Sequence, residues 1–138
     1  MDQNLKNLHI SDVLDVDKLN NVDKPIEIAN GLPNECYTNH DYLLYERERI
    51  FCNKWAVIGV GNSIPNPGDA KPYNLLGIPL ILIRDKDKRI RVFHNVCSHR
   101  GFKLLDKPCN LKNVIRCPYH SWAYDFNGQL VATPHIGG

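Results

Sequence analysis

The chain has 138 residues, 43% of them hydrophobic and 23% charged, with a formal net charge of +2; such proportions suit one globular domain with a real core. Basic residues are scattered and no run reaches the roughly 18 apolar residues of a membrane span, so neither nucleic acid nor a membrane is indicated as a partner. The opening Met1-Asp2-Gln3-Asn4-Leu5-Lys6 lacks the apolar stretch of a secretory signal, and five Cys form no even framework, so a reducing, cytoplasmic setting is expected.

Residues 1–35 read as an N-terminal arm. Ser11 to Asn20 suggests a short helix with Val13, Leu14 and Leu19 turned inward, broken by Asp15 and Asp17 and ended by Pro25. Gly31-Leu32-Pro33 then punctuates the chain. Thr38-Asn39-His40-Asp41 matches a capping box with the Thr38 hydroxyl as cap, which predicts a helix over about Asn39–Lys54 with Leu43, Leu44, Ile50 and Phe51 on its apolar face. Cys52, near its end, reads as a packed or half-exposed thiol.

Beyond this point the period changes to short strands and turns. Trp55–Gly61 reads as a first strand, Asn62–Gly68 as a Pro-rich loop, and Ala70–Leu76 as an edge strand because Pro72 lacks a ladder donor. Ile78–Arg84 and Arg89–Asn95 flank Asp85-Lys86-Asp87-Lys88 as a hairpin, and the unbroken run Leu80-Ile81-Leu82-Ile83 marks a strand covered on both faces. Val114–Arg116 and Ala123–Phe126 are further strands, and Asn127-Gly128 predicts a type I′ turn into Gln129–Ala132. The alternation of short strands predicts a mainly β fold, an antiparallel sandwich or barrel after a short helical segment.

Within this frame stand Cys97-Ser98-His99 and, after seventeen intervening residues, Cys117-Pro118-Tyr119-His120. Cys97, His99, Cys117 and His120 together supply two thiolates and two imidazoles. That is the set of a Rieske [2Fe-2S] centre, where two His replace two Cys on one iron. The iron held by neutral imidazoles carries less ligand charge and is the natural seat of an added electron. Zinc is the rival, since Cys2His2 is also a structural zinc set, although the Cys-x-His half departs from the usual zinc spacings. Arg100, Tyr119 and Trp122 are candidates for the cluster environment, each with a plainer reading as a solvated cation or a core aromatic. Cys36, Cys52 and Cys109 receive no role, and His94 and His135 read as structural.

Cys97-Ser98-His99-Arg100-Gly101 with Cys117-Pro118-Tyr119-His120-Ser121-Trp122-Ala123-Tyr124-Asp125, entered by Val92-Phe93-His94-Asn95-Val96 and left by Phe126-Asn127-Gly128, resembles the N-terminal Rieske domain of the aromatic-ring-hydroxylating oxygenase large subunits. The likeness covers residues 36–136, with ligand loops at about 95–103 and 115–124, and 137–138 look like the start of a linker. One departure is Ser121, where the family often has Gly. The resemblance implies a Rieske-type fold with a cluster-binding subdomain of two ligand loops. High-potential Rieske proteins carry an extra Cys in each loop, joined as a disulfide; here those positions look like Phe102 and Tyr119. Without that bridge the reduction potential is expected near about −150 mV, the low end of the Rieske range.

The same resemblance implies a reductase or ferredoxin as electron donor. It also implies a catalytic domain with a mononuclear Fe(II), the protein's own or that of a neighbouring subunit in a homotrimer, which hydroxylates or demethylates an aromatic or quaternary ammonium substrate. Residues that would bind the second iron are absent from this chain, so a truncated or split oxygenase is expected. A stand-alone Rieske-type ferredoxin is the alternative, against which stand the more than fifty residues that precede Trp55.

Overall fold

A computed structural model describes residues 8–134, and the chain divides into two compact units that meet in sequence at Val57 and Ile58. His135 and the expected linker start lie outside the described residues.

In the first unit the expected arm helix is replaced by two 3-10 turns, Ile10–Asp12 and Val16–Asn21, the second capped by the Asp15 carboxylate on the Asp17 amide. Val13 and Leu14, between them, are buried. Asp15 and Asp17 favour such local side-chain bonds over a continued helix. A one-turn helix, α1 (Glu35–Thr38), precedes α2 (His40–Glu46), which widens into a π turn at Arg47–Phe51. The cap of α2 is Asn39, whose side chain accepts from the Asp41 and Tyr42 amides. Thr38 is not the cap, because as the last residue of α1 its hydroxyl donates back to the Asn34 carbonyl at 3.1 Å. The expected apolar face is only half realised. Leu44 and Phe51 are half-buried, Leu43 is exposed, and Ile50, beyond the register change of the π turn, is exposed as well.

The second unit holds two antiparallel sheets. The first comprises β1 (Asp69–Leu75), β2 (Ile78–Arg84), β3 (Ile90–His94) and β4 (Cys109–Asn110), in the order β3-β2-β1-β4. The second comprises β5 (Ile115–Arg116), β6 (Ala123–Tyr124) and β7 (Leu130–Ala132), in chain order. β2 is the covered central strand its composition predicts, with Ile81, Leu82 and Ile83 all buried between two paired neighbours. β1 is not a free edge along its length, since β4 pairs with Asp69 and Ala70. Pro72 lies beyond that short pairing, on the stretch where no donor is called for.

Trp55–Gly61 does not form the expected strand. Trp55 to Val60 carries no strand assignment, Trp55 and Val57 are 104% and 92% exposed, and Gly61–Ser63 is a 3-10 turn. Alternating apolar residues favour a strand only when a neighbouring strand takes up the backbone groups, and none of the described strands does.

One turn also differs from expectation, and the geometry expected of it is found at another. The type I′ geometry belongs to Leu76-Gly77, both at positive φ, closing β1 on β2 with Leu75 opposite Ile78. At Asn127-Gly128 only Gly128 has positive φ, and the turn starts one residue earlier, on Asp125. The core lies between the sheets and gathers Ala70, Ile81, Ile83, Ile115, Tyr124 and Phe126 around Cys97 and Cys117.

Candidate metal centre

The stretches carrying Cys97 and Cys117 close on themselves by the same two backbone bonds. In the first, the Cys97 amide donates to the Phe102 carbonyl at 2.8 Å and the Gly101 amide to the Cys97 carbonyl at 2.9 Å. In the second, the Cys117 amide donates to the Trp122 carbonyl at 2.8 Å and the Ser121 amide to the Cys117 carbonyl at 3.0 Å. The fifth residue of each loop is left-handed, Gly101 at φ 68° and Ser121 at φ 61°. A side chain costs about 1–2 kcal/mol in that region, so Ser121 stores strain that its counterpart Gly101 avoids. The loops are therefore two copies of one conformation, a relation that unequal spacings and dissimilar residues conceal in the sequence.

This shared conformation sends both cysteines inward and leaves both histidines nearer the surface. Cys97 and Cys117 are 1% and 2% exposed, whereas His99 and His120 are half-buried. The two imidazoles meet edge to face with ring centroids 4.9 Å apart. Trp122 stacks on His99 at 4.6 Å with the planes 10° apart, and Tyr119 stacks on His120 at 3.8 Å. Phe102, from the first loop, lies 5.3 Å from Tyr119 of the second, so the positions matched to the disulfide of high-potential relatives are in contact as an aromatic pair. Arg100 is exposed; its backbone, not its guanidinium, faces the Cys97 sulfur.

Burial alone would raise the Cys97 thiol. It is outweighed by the Tyr124 hydroxyl, the amides of His99 and Arg100 and the nearby Cys117 thiol, which together hold Cys97 below the usual cysteine range. Tyr124 is pushed the other way, by burial first and by the Cys97 sulfur second, and so stays a neutral phenol. Its oxygen lies 3.2 Å from Cys97 Sγ and 2.9 Å from Ser98 Oγ, and accepts from the Ser98 amide at 3.0 Å. Tyr124 and Ser98 were not singled out by sequence reasoning, and neither was Asn95. The buried Asn95 carboxamide accepts from the Leu104 and Leu105 amides at 3.0 and 2.8 Å and donates to the Leu105 carbonyl at 2.6 Å, tying down the exit of the first loop.

Among the described residues no three His, Cys, Asp or Glu side chains gather on one ion-sized position. A [2Fe-2S] centre asks for two ligands at each iron. The pair of buried thiols, the pair of adjoining imidazoles and the buried Nδ1 of His120 fit that division.

Residues 54–138 match the family model described as Rieske [2Fe-2S] domain. The chain is 36% identical over 104 residues to the carnitine monooxygenase oxygenase subunit of Acinetobacter pittii (strain PHEA-2), a match covering 75% of this chain and 28% of that protein. Among solved structures, a quaternary ammonium Rieske monooxygenase in complex with an inhibitor superposes with a TM-score of 0.68 at 36% identity, over 75% of this chain and 29% of that one. Naphthalene 1,2-dioxygenase from Rhodococcus sp. bound to indole gives 0.62 at 34% identity, over 69% and 22%. The chain thus spans less than a third of the length of these relatives.

Proposed function

Because the chain belongs to the Rieske [2Fe-2S] family, we propose that it is the electron-relay part of an oxygenase, with Cys97 and Cys117 holding one iron and His99 and His120 the other. The observation that carries this reading is the pair of like-folded loops, which turns two thiols into the core and sets two imidazoles side by side above them. When bound, the cluster supplies a one-electron relay whose added charge sits on the His-held iron.

The chain's own residues prepare that relay. Amides of His99 and Arg100 and the Tyr124 hydroxyl are aimed at the Cys97 sulfur, where they favour its thiolate. Trp122 and Tyr119 stack on the two imidazoles and fix the planes of both rings. Phe102 packs on Tyr119 across the loops and backs its stack on His120. Since the cysteines are buried and the histidines only half-buried, the imidazole edge is the short way out for an electron.

A reductase or ferredoxin delivers electrons to this edge in our reading. They continue to a mononuclear non-haem iron in a catalytic domain, of the same or a neighbouring subunit, that hydroxylates or demethylates an aromatic or quaternary ammonium substrate. We place this chemistry in the cytoplasm. Among the described residues no helix is long and apolar enough to cross a membrane. The carnitine monooxygenase and naphthalene dioxygenase relatives support an oxygenase over a stand-alone ferredoxin.

The test is an electron paramagnetic resonance spectrum of anaerobically prepared, dithionite-reduced protein, with iron and sulfide counted on the same sample. The expected result is two irons and two sulfides per chain and a signal whose average g lies below that of an all-Cys cluster. A silent sample that carries zinc would overturn the reading and make the four residues a structural staple.

A further inference from the structure

The Trp122 indole N–H is a buried donor in the second ligand loop that meets no acceptor among the described residues. Its Nε1 is buried and makes no hydrogen bond among the described residues. Such a donor costs about 1–3 kcal/mol if it stays unmet, so nearly every buried N–H in a native protein has an acceptor. The nitrogen is buried, so its acceptor is sought inside the fold and not in bulk solvent. The surroundings narrow the choice further. The indole lies parallel to the His99 ring at 4.6 Å, and the Trp122 carbonyl receives the Cys117 amide, so one residue touches a proposed ligand of each iron.

We propose that Trp122 donates its indole N–H to a sulfur of the bound cluster, as a fixed neutral donor that stabilises the reduced state. This inference rests on the assignment of the four ligands made above. No proton moves and no bond breaks. The N–H···S contact strengthens when one electron arrives from the donor protein and raises the negative charge on the sulfurs, and this favours reduction. Stacking on His99 holds the indole in place, so the donor needs no reorganisation as the charge changes.

Trp122→Phe keeps a flat ring on His99 and deletes the donor. In the cluster-loaded protein the variant is expected to keep its iron and sulfide content and to show a midpoint potential below that of the parent in a dye-mediated titration. An unchanged or higher potential in a fully loaded variant overturns the proposal. A second measurement covers a variant that does not load: pulsed electron paramagnetic resonance of the reduced parent protein labelled with tryptophan carrying 15N at the indole nitrogen alone. A weak 15N coupling is expected from Trp122, and it should persist in Trp55→Phe, where Trp122 is the one Trp left of the two. Its absence overturns the proposal. Failure of the ligand assignment itself is read separately, as a parent protein that takes up no iron and sulfide.

Discussion

Asn95 shows how much of the candidate site depends on one uncharged side chain. It is 1% exposed and makes three side-chain hydrogen bonds to the backbone of Leu104 and Leu105, while its own amide donates to the Pro79 carbonyl at 2.8 Å. The first loop is thereby pinned to β2 and to the chain after it. Asn95→Ala is expected to cost about 2 kcal/mol in chemical denaturation, since it leaves part-buried backbone groups of Leu104 and Leu105 without their partner. Tyr124 plays the corresponding part at the sulfur. Tyr124→Phe leaves Ser98 without an acceptor for its amide and Cys97 without the hydroxyl, so about 1–2 kcal/mol of stability is expected to go. The potential of the loaded protein should fall with it, and a redox titration beside the denaturation curve checks both. Neither residue could be picked from the sequence. Cys97, His99, Cys117 and His120 are proposed as ligands from spacing and ligand chemistry, but Asn95 sits where a strand runs out, and Tyr124 reaches a partner 26 positions earlier in the chain. Spacing reveals residues that share a ligand, and supporting residues share only a fold.

Among the elements, the hairpin turns at Asp85 and Asp125 repeat one design. In each, the Asp amide donates to the carbonyl four residues on, at 2.9 Å, and the Asp carboxylate accepts the amide of that same residue, Arg89 at 2.8 Å or Gln129 at 2.9 Å. The fourth position is left-handed in both, Lys88 at φ 64° and Gly128 at φ 84°. Lys88→Gly is therefore expected to stabilise by about 0.5–1 kcal/mol, the strain relieved less the entropy that Gly adds to the unfolded chain. The converse change is not its mirror image. A Cβ on Gly128 would sit 2.7 Å from the Phe93 ring, so Gly128→Ala should cost about 2–3 kcal/mol, and thermal denaturation of the two variants should move in opposite directions. Both aspartates also give stability a pH dependence. Burial would raise the Asp85 carboxyl, but Arg91 and the Arg89 amide outweigh it, and for Asp125 the Gln129 amide leads; both end below the usual carboxylate range. A depressed carboxylate contributes fully above its unfolded pKa of about 3.9 and loses that contribution as pH falls through the lower folded value. Stability should thus be flat in this respect from neutral pH to about pH 5 and fall below pH 4. Asp125→Asn should be less stable at pH 7 and show a shallower acid decline, which urea titrations at several pH values would check. Element identity was largely readable: β2, β3 and the hairpin between them follow from composition. Turn geometry was not, because Asn-Gly is the commoner type I′ pair, yet the Asp125 carboxylate draws its turn one residue back and leaves that geometry to Leu76-Gly77. The missing strand at Trp55–Gly61 has a similar cause, since alternation marks a residue's fitness for a sheet and says nothing of a neighbour to pair with.

At the scale of the molecule, the second unit combines a doubly paired sheet with loops that have little support of their own. β2 is held on both sides by five or six register pairs, Ile78–Arg84 against β1 and β3. The ligand loops rely on two backbone bonds apiece, helped by Asn95 and Tyr124, and on strands only two residues long at β5 and β6. Yet these loops place Cys97 and Cys117 in the same buried cluster as Ile81 and Ile83. A bound cluster would tie that weakly supported part to the core, because metal binding free energy acts as folding free energy where the ligands are not otherwise held in place. Removal of iron by a chelator under reducing conditions should therefore act locally. Amide exchange at Cys97, Gly101, Cys117 and Ser121, whose bonds close the loops, is expected to rise by about tenfold or more, the equivalent of about 1.4 kcal/mol of lost protection. Ile81 and Ile83 in β2 should change by less than about twofold, since their protection depends on the sheet and not on the metal. Hydrogen exchange followed by mass spectrometry on loaded and chelated protein compares the two regions in one sample. A uniform rise across loops and β2 would mean that the cluster holds the whole unit together, and no rise in the loops would mean that the protein presents its four ligands already in place.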